Sequence, residues 1–149
     1  MTDFNHETLA SIGPKEFAQL VKATPDSTIA GVMAGDSRGK ILDEIFARFP
    51  ALFRADRAGS TNAVIHWVIT ERPDGGADTY EVVVENGTCT ASGTAERDPK
   101  LTLTMAPVDF LKVVSGAGNP MMMFMTGKLK AKGDMALAAN LAKLFNLPS

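Results

Sequence analysis

Cysteine and histidine are scarce in this 149-residue sequence, which contains one cysteine, Cys89, and two histidines, His6 and His66. A lone cysteine cannot form a disulfide within the chain, and the absence of disulfides is typical of a reducing compartment. The two histidines lack the spacing and the partner residues of a metal site. The first residues show no charged start followed by an apolar stretch, so we expect no secretory signal. The composition therefore predicts a cytoplasmic protein with no metal and no cofactor.

Long apolar runs and an excess of positive charge are also missing. No apolar stretch approaches the ~20 residues that a helix needs to span a bilayer. The 15 basic and 17 acidic residues give a net charge of −2 and are mixed along the chain. Because nucleic-acid-binding proteins concentrate lysine and arginine on one face, we expect no nucleic-acid partner. A chain of this length forms one domain with a sizeable core.

Recognisable catalytic motifs are absent as well. Residues 35–40, GDSRGK, precede a helix but lack the spacing of a phosphate-binding loop, and no strand leads into the glycines at 116–120. His66 lies in a predicted strand, where a hydrogen-bonded position on the sheet face competes with a chemical role. Cys89 follows a hairpin turn and is either a packing residue or a nucleophile without a visible base. The sequence does not indicate an enzyme.

Apolar residues at helical spacing dominate the first fifty positions. Gly13-Pro14 and Thr24-Pro25 each mark a helix start, and Asp36 opens a third and stronger pattern. The third pattern has an apolar stripe at Ile41, Leu42, Ile45, Phe46 and Phe49. Its polar residues, assigned to the opposite face, are Arg38, Lys40, Asp43, Glu44 and Arg48. Pro50 follows the stripe, and we expect the helix to end there.

After position 60 the spacing of the apolar residues changes from helical to a period of two. Residues 62–70, NAVIHWVIT, are rich in branched and aromatic side chains, as in a largely buried strand. Residues 78–86 and 87–93 flank Asn86-Gly87, the strongest hairpin signal in the chain. Residues 100–105, KLTLTM, alternate apolar residues with threonine. These segments predict an antiparallel sheet with one face to be covered.

The last third of the chain returns to helices around one short strand. Pro107 begins a helix that ends near Gly116, and residues 127–133, GKLKAKG, form a strand with its lysines outward. Asp134 caps a final helix with a periodic apolar face at Leu137, Leu141, Leu144 and Phe145.

Residues 121–125, MMMFM, form an apolar run without any polar face. Methionine adapts its shape to its surroundings, so the run suits either an ordinary core or the wall of a cavity for variable apolar ligands. The residue pattern alone leaves both interpretations open.

The order of these features resembles the sterol carrier protein 2 family of lipid-binding domains. Residues 96–145 carry the clearest resemblance: an acidic lead-in to an apolar and threonine strand, a helix with an aspartate, an Asn-Pro hydrophobic turn, GKLKAKGD, and an alanine- and leucine-rich helix. The upstream strands match in order, so the similarity covers roughly residues 38–147. Its most specific part is the GKLKAKGD stretch.

The resemblance implies an α+β, two-layer fold with a five-stranded, mostly antiparallel sheet covered on one face by helices and enclosing an apolar tunnel. We expect one domain over residues 1–149, in which 36–149 are the core and 1–35, which lie outside the resemblance, are an N-terminal helical extension. The resemblance also implies binding, and transfer, of a sterol, fatty acid or fatty acyl-CoA without covalent chemistry. The expected tunnel-lining residues are Ile65, Trp67, Val82, Leu103, Phe110, Val114, Met121, Met122, Phe124, Met125, Leu141 and Phe145.

A lipid or acyl-chain ligand is therefore the expected partner, together with transient membrane contact and a monomeric or homodimeric state. A carboxylate or CoA group has candidate contacts in Lys128, Lys130, Lys132 and Arg97, although strand lysines also serve solubility. Two alternatives remain. The chain is an accessory or interaction module of a lipid-metabolising enzyme, with the Met-rich turn as docking or dimer face, or an enzyme acting through His66 or Cys89.

Overall fold

The computed structural model describes residues 6–54, 56, 59–115 and 120–138, and for residues 6, 10, 14, 120 and 121 it describes the backbone alone. Five helices come first: α1 (His6–Ser11), α2 (Pro14–Ala23), α3 (Asp26–Met33), α4 (Ser37–Ala47) and α5 (Phe49–Leu52). Four strands follow: β1 (Ala63–Ile69), β2 (Asp78–Glu85), β3 (Thr88–Ser92) and β4 (Leu101–Met105). The described part ends with α6 (Pro107–Ser115), α7 (Pro120–Met125), β5 (Leu129–Gly133) and the helical residues 135–138.

The strands form one mixed sheet in the order β3-β2-β1-β4-β5. β1 pairs antiparallel with β2 and parallel with β4, while β2–β3 and β4–β5 are antiparallel. The predicted five-stranded, mostly antiparallel sheet is confirmed, but the expectation that residues 100–105 also pair antiparallel is wrong. The β2–β3 hairpin occupies one edge of β1, the central strand. β4 therefore pairs with the other edge of β1, and it does so in the parallel direction.

The hairpin between β2 and β3 turns at Asn86-Gly87, as predicted. Asn86 has φ 53° and Gly87 has φ 76°, the pair of left-handed conformations that a two-residue type I′ turn requires.

Helices cover one face of the sheet. The alternating residues Ala63, Ile65, Trp67 and Ile69 of β1 are buried on this side, and their neighbours along the strand are only partly buried. α6 packs against α2 and α3, and α1 packs against α4, so the N-terminal helices form part of the same cover. None of the described helices is long and apolar enough to cross a lipid bilayer.

α4 differs from its prediction in two respects. It ends at Ala47, and Phe49 starts the separate short helix α5, with Pro50 in its first turn. Proline fits there because the first helical N–H groups have no intrahelical acceptor to lose. Arg38 is not on the polar face but is 3% exposed. Its position three and four residues before Ile41 and Leu42 places it on the apolar stripe itself.

β5 has the predicted alternation, with Leu129 buried and Lys130 and Lys132 exposed. It ends at Gly133, whose φ of 114° is available to glycine and whose Cβ, if present, would collide with the carbonyl of Lys100. The predicted cap follows, since Asp134 Oδ1 accepts the backbone N–H of Leu137 at 3.0 Å. The remainder of the predicted last helix, including Leu141, Leu144 and Phe145, lies outside the described residues.

Candidate functional site

The layer between the sheet and its helical cover is the candidate site. It collects six of the twelve residues expected to line a tunnel, and all six are buried in one continuous apolar core. They are Ile65, Trp67, Val82, Leu103, Phe110 and Val114. The first four come from the covered faces of three neighbouring strands, and the last two come from α6. Their roles as ligand contacts stay predictions.

Aromatic rings fill the centre of this layer. The ring of Phe46 lies 4.2 Å from that of Tyr80 in a stacked arrangement, 5.0 Å from Phe49 and 5.2 Å from Phe110. The indole of Trp67 meets Phe49 edge to face at 5.5 Å and Phe110 at 5.8 Å. Such geometries are the favoured ones for aromatic pairs. Sequence reasoning named two of these rings as wall residues and missed the other three, although the apolar stripe and the strand alternation both contain the signal.

Two buried nitrogen atoms in this region find no acceptor among the described residues. They are Nε1 of Trp67 and Nη1 of Arg38. A buried donor without an acceptor costs free energy, about 1–3 kcal/mol, so such groups are rare unless something else satisfies them. Both donors are therefore suited to a carboxylate, carbonyl or hydroxyl oxygen of a ligand.

Two other nitrogen atoms of Arg38 form hydrogen bonds. Its Nε donates to Asp78 Oδ2 at 2.8 Å, and its Nη2 donates to the carbonyl of Ile69 at 2.7 Å. Nearby, the hydroxyl of Tyr80 donates to Asp43 Oδ1 at 2.5 Å. Burial, then the hydrogen bond to Asp43, raises the pKa of Tyr80 above its ordinary value. The phenol therefore stays neutral at physiological pH and holds its place on Phe46.

A narrow apolar cleft opens among the covering helices rather than along the sheet. Its volume is about 30 Å³, and its lining residues are Leu9, Phe17, Glu44, Ile45, Arg48, Phe49, Leu52 and Val114. A water molecule needs roughly 10–15 Å³ by this kind of measure, so the cleft has room for about two waters and not for a long-chain lipid. A lipid that entered through this cleft would have to push the helices around it apart.

The polar rim of the cleft is formed by Arg48. Its Nη2 donates to the carbonyl of Leu9 and to Glu44 Oε1, the latter at 3.3 Å. This side chain ties α1 to the end of α4. It is the polar connection that must loosen if α1 is to swing away.

The methionine run divides between the core and the surface. Met123 is 8% exposed and packs in the core, whereas Met122 is 62%, Phe124 is 40% and Met125 is 78% exposed. The side chain of Met121, and all of Leu141 and Phe145, lie outside the described residues. Among the side chains of the run that the structure describes, Met123, which the sequence analysis did not name as lining, reaches the core, while the named residues Met122, Phe124 and Met125 face outward.

His66 and Cys89 occupy structural positions. His66 Nε2 lies 3.0 Å from Glu81 Oε2, and the same oxygen accepts the backbone N–H groups of Glu96 and Arg97 at 3.1 and 2.9 Å. Burial acts to raise the pKa of Glu81, but these hydrogen bonds outweigh it and lower the pKa. The ionised carboxylate therefore fastens the segment after β3 against the sheet. Glu81 is buried, and these donors compensate its charge.

Burial raises the pKa of the Cys89 thiol to about 11, so the thiol stays protonated and is a poor nucleophile. No group of three His, Cys, Asp or Glu side chains that could hold a metal occurs among the residues that the structure describes.

The basic residues considered for a ligand head group differ in their surroundings. Lys128, Lys130 and Lys132 are exposed. Arg97 is also exposed and makes an ion pair with Glu85, with Nη1 3.1 Å from Oε2. None of the four lies in the aromatic layer, so their use by a ligand stays a prediction.

Comparison with known proteins identifies a family that the chain matches. Residues 42–146 match the model of the SCP-2 sterol transfer family. Hydroxysteroid dehydrogenase-like protein 2 of Bos taurus is 33% identical over 110 residues, which cover 74% of this chain and 26% of the relative. Sterol carrier protein 2 of Homo sapiens is 37% identical over 76 residues, which cover 51% of this chain and 14% of the relative. The chain therefore spans about a quarter or less of these two relatives.

The fold has a counterpart among solved structures. The apo form of sterol carrier protein 2 from Yarrowia lipolytica aligns with a TM-score of 0.55 at 23% identity, covering 71% of this chain and 88% of the other. This likeness shows that the two proteins share a fold. Because the family model matches well over half of the residues, the chain belongs to the SCP-2 sterol transfer family.

Proposed function

We propose that the chain binds a single-chain or sterol lipid without covalent chemistry, in the layer between the sheet and its helical cover, and transfers it. The observation that carries the proposal is the buried aromatic layer with two donors, on Trp67 and Arg38, that lack acceptors. Membership of a sterol transfer family supports the same conclusion. A fatty acid, a fatty acyl-CoA and a sterol all combine an apolar body with an oxygen acceptor.

The energetics permit such binding without a strong ionic contact. A ligand that loses about 400 Å² of apolar surface gains roughly 10 kcal/mol at about 25 cal/mol per Å², as an upper figure. Association and ordering remove about 4 kcal/mol or more. The remainder corresponds to a dissociation constant near the micromolar range.

Entry of the ligand requires movement at the cleft. We place the opening where α1 and α5 meet α4, because Leu9, Phe49 and Leu52 already line free volume there. The hydrogen bond from Arg48 to Leu9 would break as α1 moves. The acyl chain or ring system would then replace contacts among the aromatic side chains, and its oxygen would approach Trp67 or Arg38.

The protein carries its own reporter for this test, because Trp67 is its one tryptophan. Titration with palmitic acid should give a saturable change in Trp67 fluorescence with a dissociation constant near micromolar. Native mass spectrometry of the purified protein should detect a bound lipid. Absence of a bound lipid together with an unchanged emission spectrum would refute the proposal.

A matched pair of variants tests the donor of Trp67. Trp67→Phe keeps a ring in the layer and removes the N–H, whereas Tyr80→Phe removes a hydroxyl that is already bonded to Asp43. Palmitate binding is measured by displacement of a fluorescent fatty acid. Trp67→Phe should bind palmitate about five- to tenfold more weakly, which corresponds to the free energy of one net hydrogen bond. Tyr80→Phe should bind palmitate like the wild type. Equal effects of the two variants would mean that ring packing matters and the donor does not.

The second candidate function is an accessory module of a lipid-metabolising enzyme. The observation that favours it is the partial coverage of the bovine relative, of which this chain matches 26%. In that case the exposed residues of α7 form a docking or dimer face. Concentration-dependent association in sedimentation velocity, lost in Met122→Lys while palmitate binding is retained, would support this function over a free carrier.

We further propose that residues 1–149 act as one domain, with 1–35 as its helical extension, and that it works in the cytoplasm without a cofactor. The protonated thiol of Cys89 and the hydrogen-bonded pair of His66 and Glu81 support a role without catalysis. Retention of full palmitate binding in His66→Ala and Cys89→Ala would agree with this, whereas turnover of a bound lipid that either substitution abolishes would contradict it.

A further inference from the structure

Arg38 places a positive charge inside the apolar layer at the beginning of α4. The residue is 3% exposed, and its Nη1 has no acceptor in the part of the chain that the structure describes. Burial of an ionised group without its full set of hydrogen bonds is costly, so this donor points to an acceptor that arrives with a ligand. Trp67 Nε1 is in the same situation but carries no charge. Arg38 is therefore the candidate contact for a charged head group.

The carboxylate beside Arg38 is shared between two guanidinium groups. Asp78 Oδ2 accepts a hydrogen bond from Arg38 Nε at 2.8 Å, and Asp78 Oδ1 accepts one from Arg72 Nη1 at 3.3 Å. Arg72 also pairs with Asp74, but that side chain is 63% exposed and solvent screens its charge. Asp43 is turned about 140° away from Arg38 on α4, and it accepts a tyrosine hydroxyl. Two guanidinium groups on one partly buried carboxylate leave positive charge for a ligand carboxylate.

The side of α4 that carries Arg38 continues to the cleft. Ile41, Leu42 and Ile45 follow Arg38 by three, four and seven residues, so they share its side of the helix. All three are buried, and Ile45 also lines the cleft. At about 1.5 Å per residue, Arg48 at the rim of the cleft lies about 15 Å from Arg38 along the helix axis. The unpaired donor and the free volume therefore lie at opposite ends of one buried apolar face.

The separation of these two ends matches the length of one acyl chain. The hydrocarbon core of a bilayer is about 30 Å thick, so each of its two layers of acyl chains spans about 15 Å. A single chain of this kind, with its carboxylate at Arg38, reaches the cleft with its tail. Packed side chains fill the space between the two ends, and the acyl chain replaces their contacts as it binds.

The end of the layer at Arg38 is closed. Ile41, Leu42 and Ile69 are fully buried there, and the carbonyl of Ile69 accepts Arg38 Nη2 at 2.7 Å. A carboxylate is small enough for such an end, whereas the large and charged CoA group has to stay in water. A fatty acyl-CoA would therefore bind with its tail first and leave the donor of Arg38 beside a methyl group. A polar group that is left unpaired in this way discriminates strongly against a ligand.

We propose that Arg38 determines which lipid is bound and in which direction. It binds the carboxylate of a free long-chain fatty acid, the tail lies along α4 towards the cleft, and fatty acyl-CoA is disfavoured. The inference rests on the proposed function, because it assigns a head group and a direction to the ligand of the same layer.

Three ligands with the same tail test this specificity on the unaltered protein. Displacement of a fluorescent fatty acid measures the affinities of palmitic acid, 1-hexadecanol and palmitoyl-CoA. Palmitic acid should bind about tenfold more tightly than hexadecanol, because a hydrogen bond between two charged groups is stronger than one to a neutral hydroxyl. Palmitoyl-CoA should bind more weakly than both. Equal affinities for the three ligands, or the tightest binding for palmitoyl-CoA, would overturn the proposal.

A matched pair of variants assigns the preference to Arg38. Arg38→Met should weaken the binding of palmitic acid about 10- to 100-fold and abolish its preference over hexadecanol. Lys40→Met removes a positive charge from the exposed side of the same helix and should keep both affinities. The ratio of the two affinities remains valid if Arg38→Met is partly unfolded, because the unfolded fraction weakens both ligands equally. A preference that survives in Arg38→Met would show that another group binds the carboxylate.

A photoreactive palmitic acid tests the direction of the bound chain. With a diazirine at its tail end, it should label Leu9, Phe17 or Leu52 at the cleft, as mapped by mass spectrometry of peptides. Excess palmitic acid should suppress the labelling. Labelling of Leu42 or Ile69 would place the tail at Arg38 and overturn the proposed direction.

The same measurements distinguish this inference from the proposed function. If the fluorescent fatty acid does not bind at all, both fail. If palmitic acid, hexadecanol and palmitoyl-CoA bind alike, lipid binding stands and only the role of Arg38 is refuted.

Discussion

Replacement of Glu81 by glutamine tests how one buried carboxylate fastens the segment after β3. Its Oε2 accepts hydrogen bonds from Glu96 N, Arg97 N and His66 Nε2 at 2.9 to 3.1 Å. Glutamine keeps the shape and one acceptor but removes the charge. Each hydrogen bond to a charged group is stronger than a neutral one by very roughly 0.7 kcal/mol, so three of them predict a loss of about 2 kcal/mol in the free energy of unfolding.

Urea unfolding monitored by circular dichroism measures this loss directly. A loss of about 2 kcal/mol corresponds to a fall in melting temperature of about 4 to 8 °C for a protein of this size. Glu85→Gln is the matched control, because Glu85 lies in β2 like Glu81 and makes an exposed ion pair with Arg97. Exposed ion pairs contribute about 1 kcal/mol or less, so this control should lie close to the wild type.

The pH dependence provides a second and independent check. Because the pKa of Glu81 is lowered in the folded protein, the carboxylate contributes its full stabilisation above the pKa of an unfolded glutamate, about 4.3. This stabilisation is lost as the pH falls through the lower folded pKa. The difference between wild type and Glu81→Gln should therefore be largest near pH 6 to 7 and shrink below about pH 4.5. A difference that is constant from pH 3 to 7, or no larger than that of Glu85→Gln, would refute the reasoning.

Three further predictions follow from buried groups. Arg38→Met should lower the free energy of unfolding in urea by about 2–3 kcal/mol. This loss is small for a broken buried ion pair because Asp78 keeps Arg72 as a partner. An unchanged free energy of unfolding would show that the guanidinium makes no net contribution to stability. Cys89 should resist a thiol reagent at pH 8 in the native state and react at once in urea, since burial raises its pKa to about 11; rapid native reaction would contradict its burial. Gly133→Ala should cost more than 1 kcal/mol through strain and collision with the Lys100 carbonyl, and a melting temperature equal to that of wild type would show that β5 relaxes freely.

Local features of the sheet were predictable from the sequence. Alternation in β1 and β4 and the Asn86-Gly87 turn depend on residues close together in the chain, so they carry their own signal. The parallel pairing of β4 with β1 carries no such signal. It joins residues as distant as Ile65 and Leu101, and it becomes visible only when both strands are placed in one sheet.

Arg38 shows how a residue type can mislead where its position does not. The charge suggested a solvated face, but the spacing to Ile41 and Ile45 placed it on the apolar stripe, where Asp78 and the Ile69 carbonyl compensate its burial. In the methionine run, by contrast, position in the sequence carries no information about burial. Because residues 121–125 have no polar member, periodicity cannot tell which side chain turns inward, and of residues 122–125 the structure buries Met123.

The central position of β1 has a consequence for the route by which the chain folds. The β2–β3 hairpin closes through a two-residue turn, so it is able to form early, whereas β1 can pair with β4 only after a long loop has closed. Loop closure between distant segments slows folding, and β4 must arrive before β5 finds its partner. During that interval the backbone N–H and C=O groups on the edge of β1 that later receives β4 stay open to pairing with other chains. Aggregation during refolding should therefore depend on protein concentration and decline once β4 has docked.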